Sequence, residues 1–522
     1  MGSFLADVRV RVLLLAAVYF VAAKLGLQLA IDPGNATILW APTGISLAAL
    51  MLFGPRLWPG VAIGAFAANA TTEISILAAA AIAIGNTLEA VVGAALLRRM
   101  GFVTGIDRLR DVGALVVAAL VSTTISATVG AGTLWVSGAA EFSDLDAQWT
   151  VWWVGDVMGD LLVAPLLLVW LGRPLGPVAP RRMAEAVALG VALAGLGWTA
   201  FVDANIVTSY IALPLLIWAA LRFRQHGAVS AIFLFAGLGV WATLTGERPF
   251  GGDNVVEAVG ILQAVMSANA IGTLALAATL AERQKADELK DTFMHMVVHD
   301  LRGPVMALVG MSTALKDRFE QIDPEQRSSY LQTLTRASMR LSRLLDSVLF
   351  RSQIEQGKLQ VRMTPTAVEP VLTEVLAELG LEHVDVSCPT AVAASVDRRH
   401  LEHILLNYLT NARKYGRPPI SVDVSARDRW VQIRVSDSGS GVAQEFVAQL
   451  FERFTRGEET GEETGTGLGL AIVGELARAH GGVAWYEPNE PSGSCFFVRL
   501  PEAEGSGAPR ERAAAAGALS LL

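Results

Sequence analysis

Cysteine is almost missing. The 522 residues hold two, Cys388 and Cys495, too few for a disulfide scaffold or a four-thiolate zinc site. Charge is scarce as well, at 17% of residues, where an ordinary soluble domain carries about 25%. Acidic residues outnumber basic ones, and the net charge of −8 argues against a nucleic-acid partner. What replaces charge is apolar: 52% hydrophobic residues and a mean hydropathy of +0.45. These values exclude a disordered chain and a wholly soluble enzyme.

The missing charge is missing from one half. Residues 1–281 carry 30 charged side chains, and residues 282–522 carry 60 in a shorter stretch. The first half reads as membrane and the second as soluble. A spanning helix needs about 20 apolar residues. Candidates fall at Val10–Ala30, Ile38–Phe53, Leu57–Ala70, Ile76–Leu97, Val112–Gly138, Trp149–Leu171, Met183–Phe201, Val207–Leu221, Ala228–Thr245 and Val255–Ala281. That makes ten, or eight if the two short segments around Gly54-Pro55-Arg56 form one re-entrant hairpin. Basic loops (Arg9/Arg11, Arg56, Arg98/Arg99, Arg181/Arg182, Arg222/Arg224) alternate with acidic or neutral ones. By the positive-inside rule both ends of this half are cytoplasmic. The first segment reads as retained rather than as a cleaved leader.

Lys24, Asn86, Glu89, Asp156 and Asp160 lie at membrane depth. Asp156 and Asp160 are four apart and share a helix face. Intramembrane charge suggests a ligand or ion site, with Lys24, Glu89, Asp156 and Asp160 as its candidates. An internal ion pair involving Lys24 is the structural alternative. Gly251-Gly252-Asp253 has the start of a cyclase-like motif without the surrounding pattern and is read as chance.

The runs Lys24-Leu-Gly-Leu-Gln-Leu-Ala, Pro33-Gly-Asn-Ala-Thr, Trp40-Ala-Pro-Thr-Gly-Ile and Leu57-Trp-Pro-Gly resemble the MASE-type integral-membrane sensor domains of bacteria. Gly85-Asn86-Thr-Leu-Glu89 and Trp152-Trp-Val-Gly-Asp156-Val-Met-Gly-Asp160 look like later blocks of the same family. The resemblance implies a sensor role upstream of a signalling output and leaves the stimulus open.

The last membrane segment runs into Glu282-Arg-Gln-Lys-Ala-Asp-Glu-Leu-Lys with no Pro or Gly, so one helix is expected to continue out of the bilayer. Apolar Phe293, Met296, Val297, Leu301, Val305, Leu308 and Leu315 then recur at helical spacing. Asp323-Pro324 starts a second helix, as an N-cap followed by a first-turn proline. Its stripe is Leu331, Leu334, Leu341, Leu344, Leu345 and Val348. Two such helices cannot enclose a core, and two copies can, as a four-helix bundle; a homodimer is expected.

The first helix carries His299-Asp300-Leu301-Arg302-Gly303-Pro304. This resembles the phosphoacceptor box of sensor histidine kinases. The resemblance implies that His299 takes a phosphoryl group, that Asp300 orients its imidazole, and that Arg302 supports phosphate charge. The family often has Thr or Asn where Gly303 stands, a residue that helps position water for dephosphorylating the partner. Weak phosphatase activity is the expectation. His295 lies four residues before His299, but no third metal ligand stands nearby.

From about Thr364 the pattern mixes strands and helices, with alternating strands at Ile420–Ala426 and Trp430–Asp437. Asn407, Asn411 and Lys414, at i, i+4 and i+7, share a helix face suited to Mg²⁺ and phosphates, and Tyr415 follows. Asp437-Ser-Gly439-Ser-Gly441 places a carboxylate where a strand ends in a glycine turn; it can accept a bond from an adenine amino group. Phe451-Glu-Arg-Phe454 starts a mobile lid, with Arg453 and Arg456 placed to offset phosphate charge and Gly-Glu-Glu-Thr repeated twice at 457–464. Gly465-Thr466-Gly467-Leu468-Gly469 lets backbone amides approach phosphates and opens a helix. Each signal alone is weak. Their order and spacing resemble the catalytic ATP-binding domain of histidine kinases. The resemblance assigns Asn407, Asn411, Asp437, Gly439, Gly441, Gly465, Gly467 and Gly469 to the nucleotide site.

The expected architecture is a multi-pass α-helical membrane domain over 1–281, a dimeric helical-hairpin phosphotransfer domain over 282–360, an α/β-sandwich ATP-binding domain over 364–501, and a flexible tail over 502–522. The implied function is a bacterial inner-membrane sensor histidine kinase with its N-terminus and kinase domains in the cytoplasm. It would use ATP and Mg²⁺, contact membrane lipid, and pass phosphate from His299 to an aspartate on a separate response regulator. Two other classes remain in play. A chaperone- or mismatch-repair-type ATPase shares the nucleotide fold but lacks a phosphoacceptor helix. A transporter would use the ten segments and Asp156/Asp160, yet no inverted repeat is visible.

Overall fold

A computed structural model describes residues 7–28, 37–201, 206–245, 255–355, 359–381, 383–451 and 469–503. The lid residues Arg453, Phe454, Arg456, Gly465, Thr466, Gly467 and Leu468, the Gly251-Gly252-Asp253 run and the tail beyond 503 lie outside them. The chain divides into two compact units, Met1–Leu289 and Lys290–Leu522.

The first unit is all helical: α1 (Val8–Gln28), α2 (Ala41–Phe53), α3 (Trp58–Ala70), α4 (Ile76–Arg99), α5 (Leu109–Val136), α6 (Leu145–Met158), α7 (Ala164–Gly172), α8 (Pro180–Phe201), α9 (Ile206–Leu244) and the first part of α10 (Val255–Arg318). Among the described residues seven helical stretches are long and apolar enough to cross a membrane. The difference from ten segments has two physical sources. With 13 residues each, α2 and α3 reach only about 20 Å. They pack on α1 and α4 rather than on each other, so they are not the arms of a closed hairpin. Val207–Leu221 and Ala228–Thr245 merge into α9, a 39-residue element broken by the non-helical backbone of Arg224. A π turn over Gly159–Val163 joins α6 to α7.

Small residues let these helices approach closely. Gly60, Gly64 and Ala68, four apart on α3, face α1: a methyl group on Gly64 would lie 2.7 Å from the Tyr19 Cβ, and one on Gly60 2.7 Å from the Val12 carbonyl oxygen. Gly130 on α5 seats the Trp152 ring of α6 in the same way.

In the second unit the rest of α10 is followed by α11 (Pro324–Glu355), the two helices that the sequence predicts. Asp323 caps α11, its Oδ1 accepting from the Gln326 amide at 2.8 Å. The remaining elements are β1 (Pro365–Ala367), α12 (Val368–Leu379), β2 (Asp385–Ser387), β3 (Ala393–Ser395), α13 (Arg398–Tyr415), β4 (Ser421–Arg427), β5 (Trp430–Ser436), α14 (Gln444–Val447), α15 (Gly469–Ala479), β6 (Val483–Pro488) and β7 (Ser494–Pro501). Five strands make one mixed sheet, ordered β2-β4-β5-β7-β6, with β2 and β4 parallel and the other pairs antiparallel. Its alternate residues Val431, Ile433 and Val435 are buried, as the period of two requires. They pack with Leu401, Ile404, Leu405 and Tyr408 of α13 and with Val473 and Leu476 of α15. The Tyr408 hydroxyl donates to the Phe497 carbonyl at 2.7 Å and ties helix to sheet. Gly380 ends α12 in the left-handed conformation, where a side chain is disfavoured.

Candidate functional site

His299 stands on α10 with its side chain 69% exposed, next to Asp300, whose side chain is 6% exposed. The imidazole Nδ1 and Asp300 Oδ1 are 3.2 Å apart. A carboxylate at that distance favours the tautomer with the proton on Nδ1, in which the Nε2 lone pair is free. Arg302 and Gly303 are exposed and Pro304 is buried within the helix. A side chain at Gly303 would meet nothing within 4 Å, so its size there is free.

The nucleotide-type residues converge at the open end of the sheet. Asp437 follows β5 and is 3% exposed. Its Oδ1 accepts from the Gly439 amide at 2.8 Å, and its own amide donates to the Ser494 carbonyl at 2.9 Å. Burial pushes the Asp437 carboxyl above its ordinary value, and the bonds from Gly439 and Ser494 pull it back. Gly439 has no room for a Cβ, which would lie 2.9 Å from Asp437 Oδ1 and from the Tyr415 carbonyl. Gly441 turns at φ +75°, a region that favours glycine. The Val442 amide beyond it donates to the Tyr486 hydroxyl at 3.2 Å.

On α13, Asn407 Nδ2 donates to the His403 carbonyl at 2.8 Å. That orients the Asn407 amide oxygen toward Gly469, the first residue of α15, where a Cβ would collide with it. Asn411 is half-buried one turn on, and Lys414 Nζ sits 4.9 Å from the centre of the exposed Tyr415 ring. Phe451 packs against the sheet core. The structure therefore brings Asn407 to Gly469, and Tyr415 to Asp437 and Gly439. Hard amide oxygens beside a helix N-terminus suit a magnesium-bound triphosphate.

Sequence reasoning missed a histidine cluster behind this site. His400 and His403 of α13 each meet Phe350 of α11 edge-on at 5.1 Å, and His400 meets His480 at 5.2 Å. Burial pushes all three imidazoles below their ordinary value, His403 to about 4. The separations along the chain, 350 to 400 to 480, hide the cluster from any local pattern.

In the membrane unit Glu89, Asp156 and Asp160 are 2%, 1% and 1% exposed. Asp156 accepts from Thr43 Oγ1 at 2.9 Å and from Ser126 Oγ at 2.6 Å, and Trp152 donates to Ser126 at 3.1 Å. Lys24 is not their counter-charge. Its Nζ donates to Thr71 Oγ1 at 3.3 Å, which sets aside the ion pair that was the structural alternative. Among the described residues no group of three His, Cys, Asp or Glu could hold a metal ion.

Comparison with known proteins matches three families in succession. Residues 11–284 match MASE1, residues 289–357 the His Kinase A (phospho-acceptor) domain, and residues 396–504 the histidine kinase-, DNA gyrase B- and HSP90-like ATPase family. The histidine-protein kinase AfsQ2 of Streptomyces coelicolor is 28% identical over 45% of this chain and 46% of its own length. The sensor protein DivL of Caulobacter vibrioides is 32% identical over 45% of this chain and 31% of its own. The chain thus spans less than half the length of these relatives. Among solved structures, the Acinetobacter baumannii histidine kinase AdeS is similar over 39% of this chain and 97% of its own, at 24% identity and a TM-score of 0.29.

Proposed function

We infer, from a chain that belongs to the MASE1 family of integral-membrane domains and carries phospho-acceptor and ATPase-type domains behind it, that it is a sensor histidine kinase of the bacterial inner membrane. The observation that carries this reading is the geometry at His299, with Nδ1 held by a buried carboxylate and Nε2 open. The domains are assigned as 1–281, 282–360 and 364–501, with a tail over 502–522.

Asn407, Asn411 and Lys414 would hold the phosphates, Asn407 would hold Mg²⁺, and Asp437 would accept from the adenine amino group. Bound Mg²⁺ supplies charge neutralisation between the phosphates. His299 Nε2 attacks the γ-phosphorus of ATP, the bond to the ADP oxygen breaks, and ADP leaves. The Nδ1 proton stays on the ring, donated to the Asp300 carboxylate, which stabilises the charge on the phosphorylated imidazole. Arg302 offsets charge on the transferred group. Positioning and charge stabilisation supply the rate, since little other chemistry is needed. The phosphoryl group then passes to an aspartate carboxylate of a response regulator.

Exposed Met294, Val298, Val305, Met306 and Val309 on α10, with Leu331, Leu345 and Leu349 on α11, support a second copy completing a four-helix bundle. Outward side chains on the spans, such as Leu77 at 83% and Val136 at 78% exposed, suit lipid. Basic loops place both ends of the membrane domain in the cytoplasm. Gly303 offers no side chain to hold water, so weak phosphatase activity follows; rapid nucleotide-stimulated loss of regulator phosphate would contradict it.

The test is His299→Gln in the full chain. Acid-labile label from γ-labelled ATP should vanish while nucleotide binding persists. Label that survives the substitution sinks the assignment.

A further inference from the structure

The membrane unit buries acceptors without donors. Asp156 has a hydroxyl on each oxygen. Glu89 Oε1 and Asp160 Oδ1 have no hydrogen-bond partner among the described residues. Neither has Asn86 Oδ1, on the turn of α4 before Glu89, 6% exposed, its Nδ2 committed to the Tyr19 hydroxyl at 2.8 Å. Gly85 and Gly93, one turn either side of Glu89, pack against Ser126 and Ser122 of α5, and Ser126 bonds Asp156, so Glu89 lies at the level of Asp156, with Asp160 one turn further along its helix. Three anionic groups and a bare amide oxygen at membrane depth cost several kcal/mol each unless positive hydrogen is supplied.

Among the described residues no cationic side chain is bonded to them. Facing the carboxylates are Tyr19 from α1, Thr43 from α2 and Ser126 from α5, all neutral. Of the cations on these helices, Lys24 bonds Thr71, Arg98 the Leu50 carbonyl, Arg108 Asp111 and Arg110 the Gly101 carbonyl, Arg11 lies over the Phe53 ring, and Arg9 and Arg99 are exposed. From α9, Gln225 donates to the Ile106 and Ala277 carbonyls, and His226 bonds the Arg173 carbonyl. From α10, Gln263 donates to the Ile38 carbonyl. A metal ion needs several converging ligands, and the described residues offer no such group. A proton needs one oxygen.

We propose that Glu89 and Asp160 form a proton-binding pair within the membrane, set against Asp156 as a fixed anion held by Thr43 and Ser126. Each carboxylate takes one proton from water and becomes a neutral acid. The new O–H of Glu89 has Asn86 Oδ1, three residues away on the same face, as its acceptor. Deprotonation returns unpaired charge to an apolar bundle. Asp160 sits in the π turn, an element with one extra residue per turn, and that turn touches α2, α5 and α9. The class of ligand read by this domain is therefore H⁺.

The test is infrared difference spectroscopy of the full chain in liposomes, stepped from alkaline to acid pH. A carboxylic-acid carbonyl band should grow on acidification and shift in D₂O. Glu89→Gln and Asp160→Asn should each remove part of it, and the double variant all of it. Absence of the band in the unaltered protein, or a band indifferent to both substitutions, overturns the proposal. Loss of the band on adding Na⁺ at constant pH also overturns it, reassigning the site to an alkali cation. If one variant fails to insert, the other and the pH series of the unaltered chain still decide. The readout involves no phosphate, so a failure at His299 leaves it untouched.

Discussion

The two units hold themselves together by opposite uses of side-chain size. The membrane unit gains contact by removing side chains: Gly44, Gly60, Gly64, Gly130 and Gly159 each leave space that a neighbouring helix occupies. The soluble unit gains it by adding them, with Leu401, Ile404, Leu405 and Tyr408 wholly buried between helix and sheet. The solvent explains the difference. In water, burying a large aliphatic group is itself the driving force. In lipid it gains little, and close backbone approach with good packing must do the work. The same change in side-chain volume should therefore have opposite signs in the two places.

The largest effect is expected at Gly159→Val. Any Cβ there collides with the Trp40 carbonyl oxygen and crowds Gly44, and neither backbone can move without parting α2 from the π turn. Assembled protein in detergent should be lost, read as the monodisperse fraction on gel filtration; full recovery would break the comparison. Leu405→Ala, in the opposite direction, should cost the soluble unit about 2–5 kcal/mol, read as a lowered melting point of nucleotide-protected label on His299. An unshifted melting point would mean that α13 is not held by its aliphatic face.

A third experiment sharpens the contrast through charge. His403 has an ordinary value of 6.5 and is held at about 4 by burial. The folded state favours the neutral ring, so the unfolded chain binds the extra proton. The stability His403 contributes is intact above pH 6.5 and is lost as pH falls toward 4, by up to about 1.4 kcal/mol per pH step. His403→Leu should flatten the acid limb of the melting profile; an unchanged limb would acquit the cluster. The smallest effect belongs to Gly113→Ala on α5, where nothing lies within 4 Å. It should change stability by at most about 1 kcal/mol, in the stabilising direction, and a large loss there would mean that size is restricted everywhere in the membrane unit.

Local chemistry was legible before any coordinates. The Asp323 cap, the β4 and β5 strands and the uninterrupted helix out of the last membrane segment all follow from runs of a few residues. What a single run cannot carry is a meeting of distant ones. Thr43 and Asp156 are 113 residues apart, and Phe350 and His480 are 130 apart, so neither the hydroxyl clamp on Asp156 nor the histidine cluster has a pattern to find. Span counting meets a related limit. Hydropathy measures an apolar run but not where the backbone bends, and Arg224 breaks α9 without a proline or glycine of its own.

The stretch from Thr273 to Arg302 contains no glycine and no proline, and it lies within one helix. For anyone building a chimera, this is a keyed shaft. Each residue gained or lost at a splice within it turns the helix that follows by about 100° and lengthens or shortens it by about 1.5 Å. Splices that differ by seven residues should behave alike, and those between them should sweep the output through its settings.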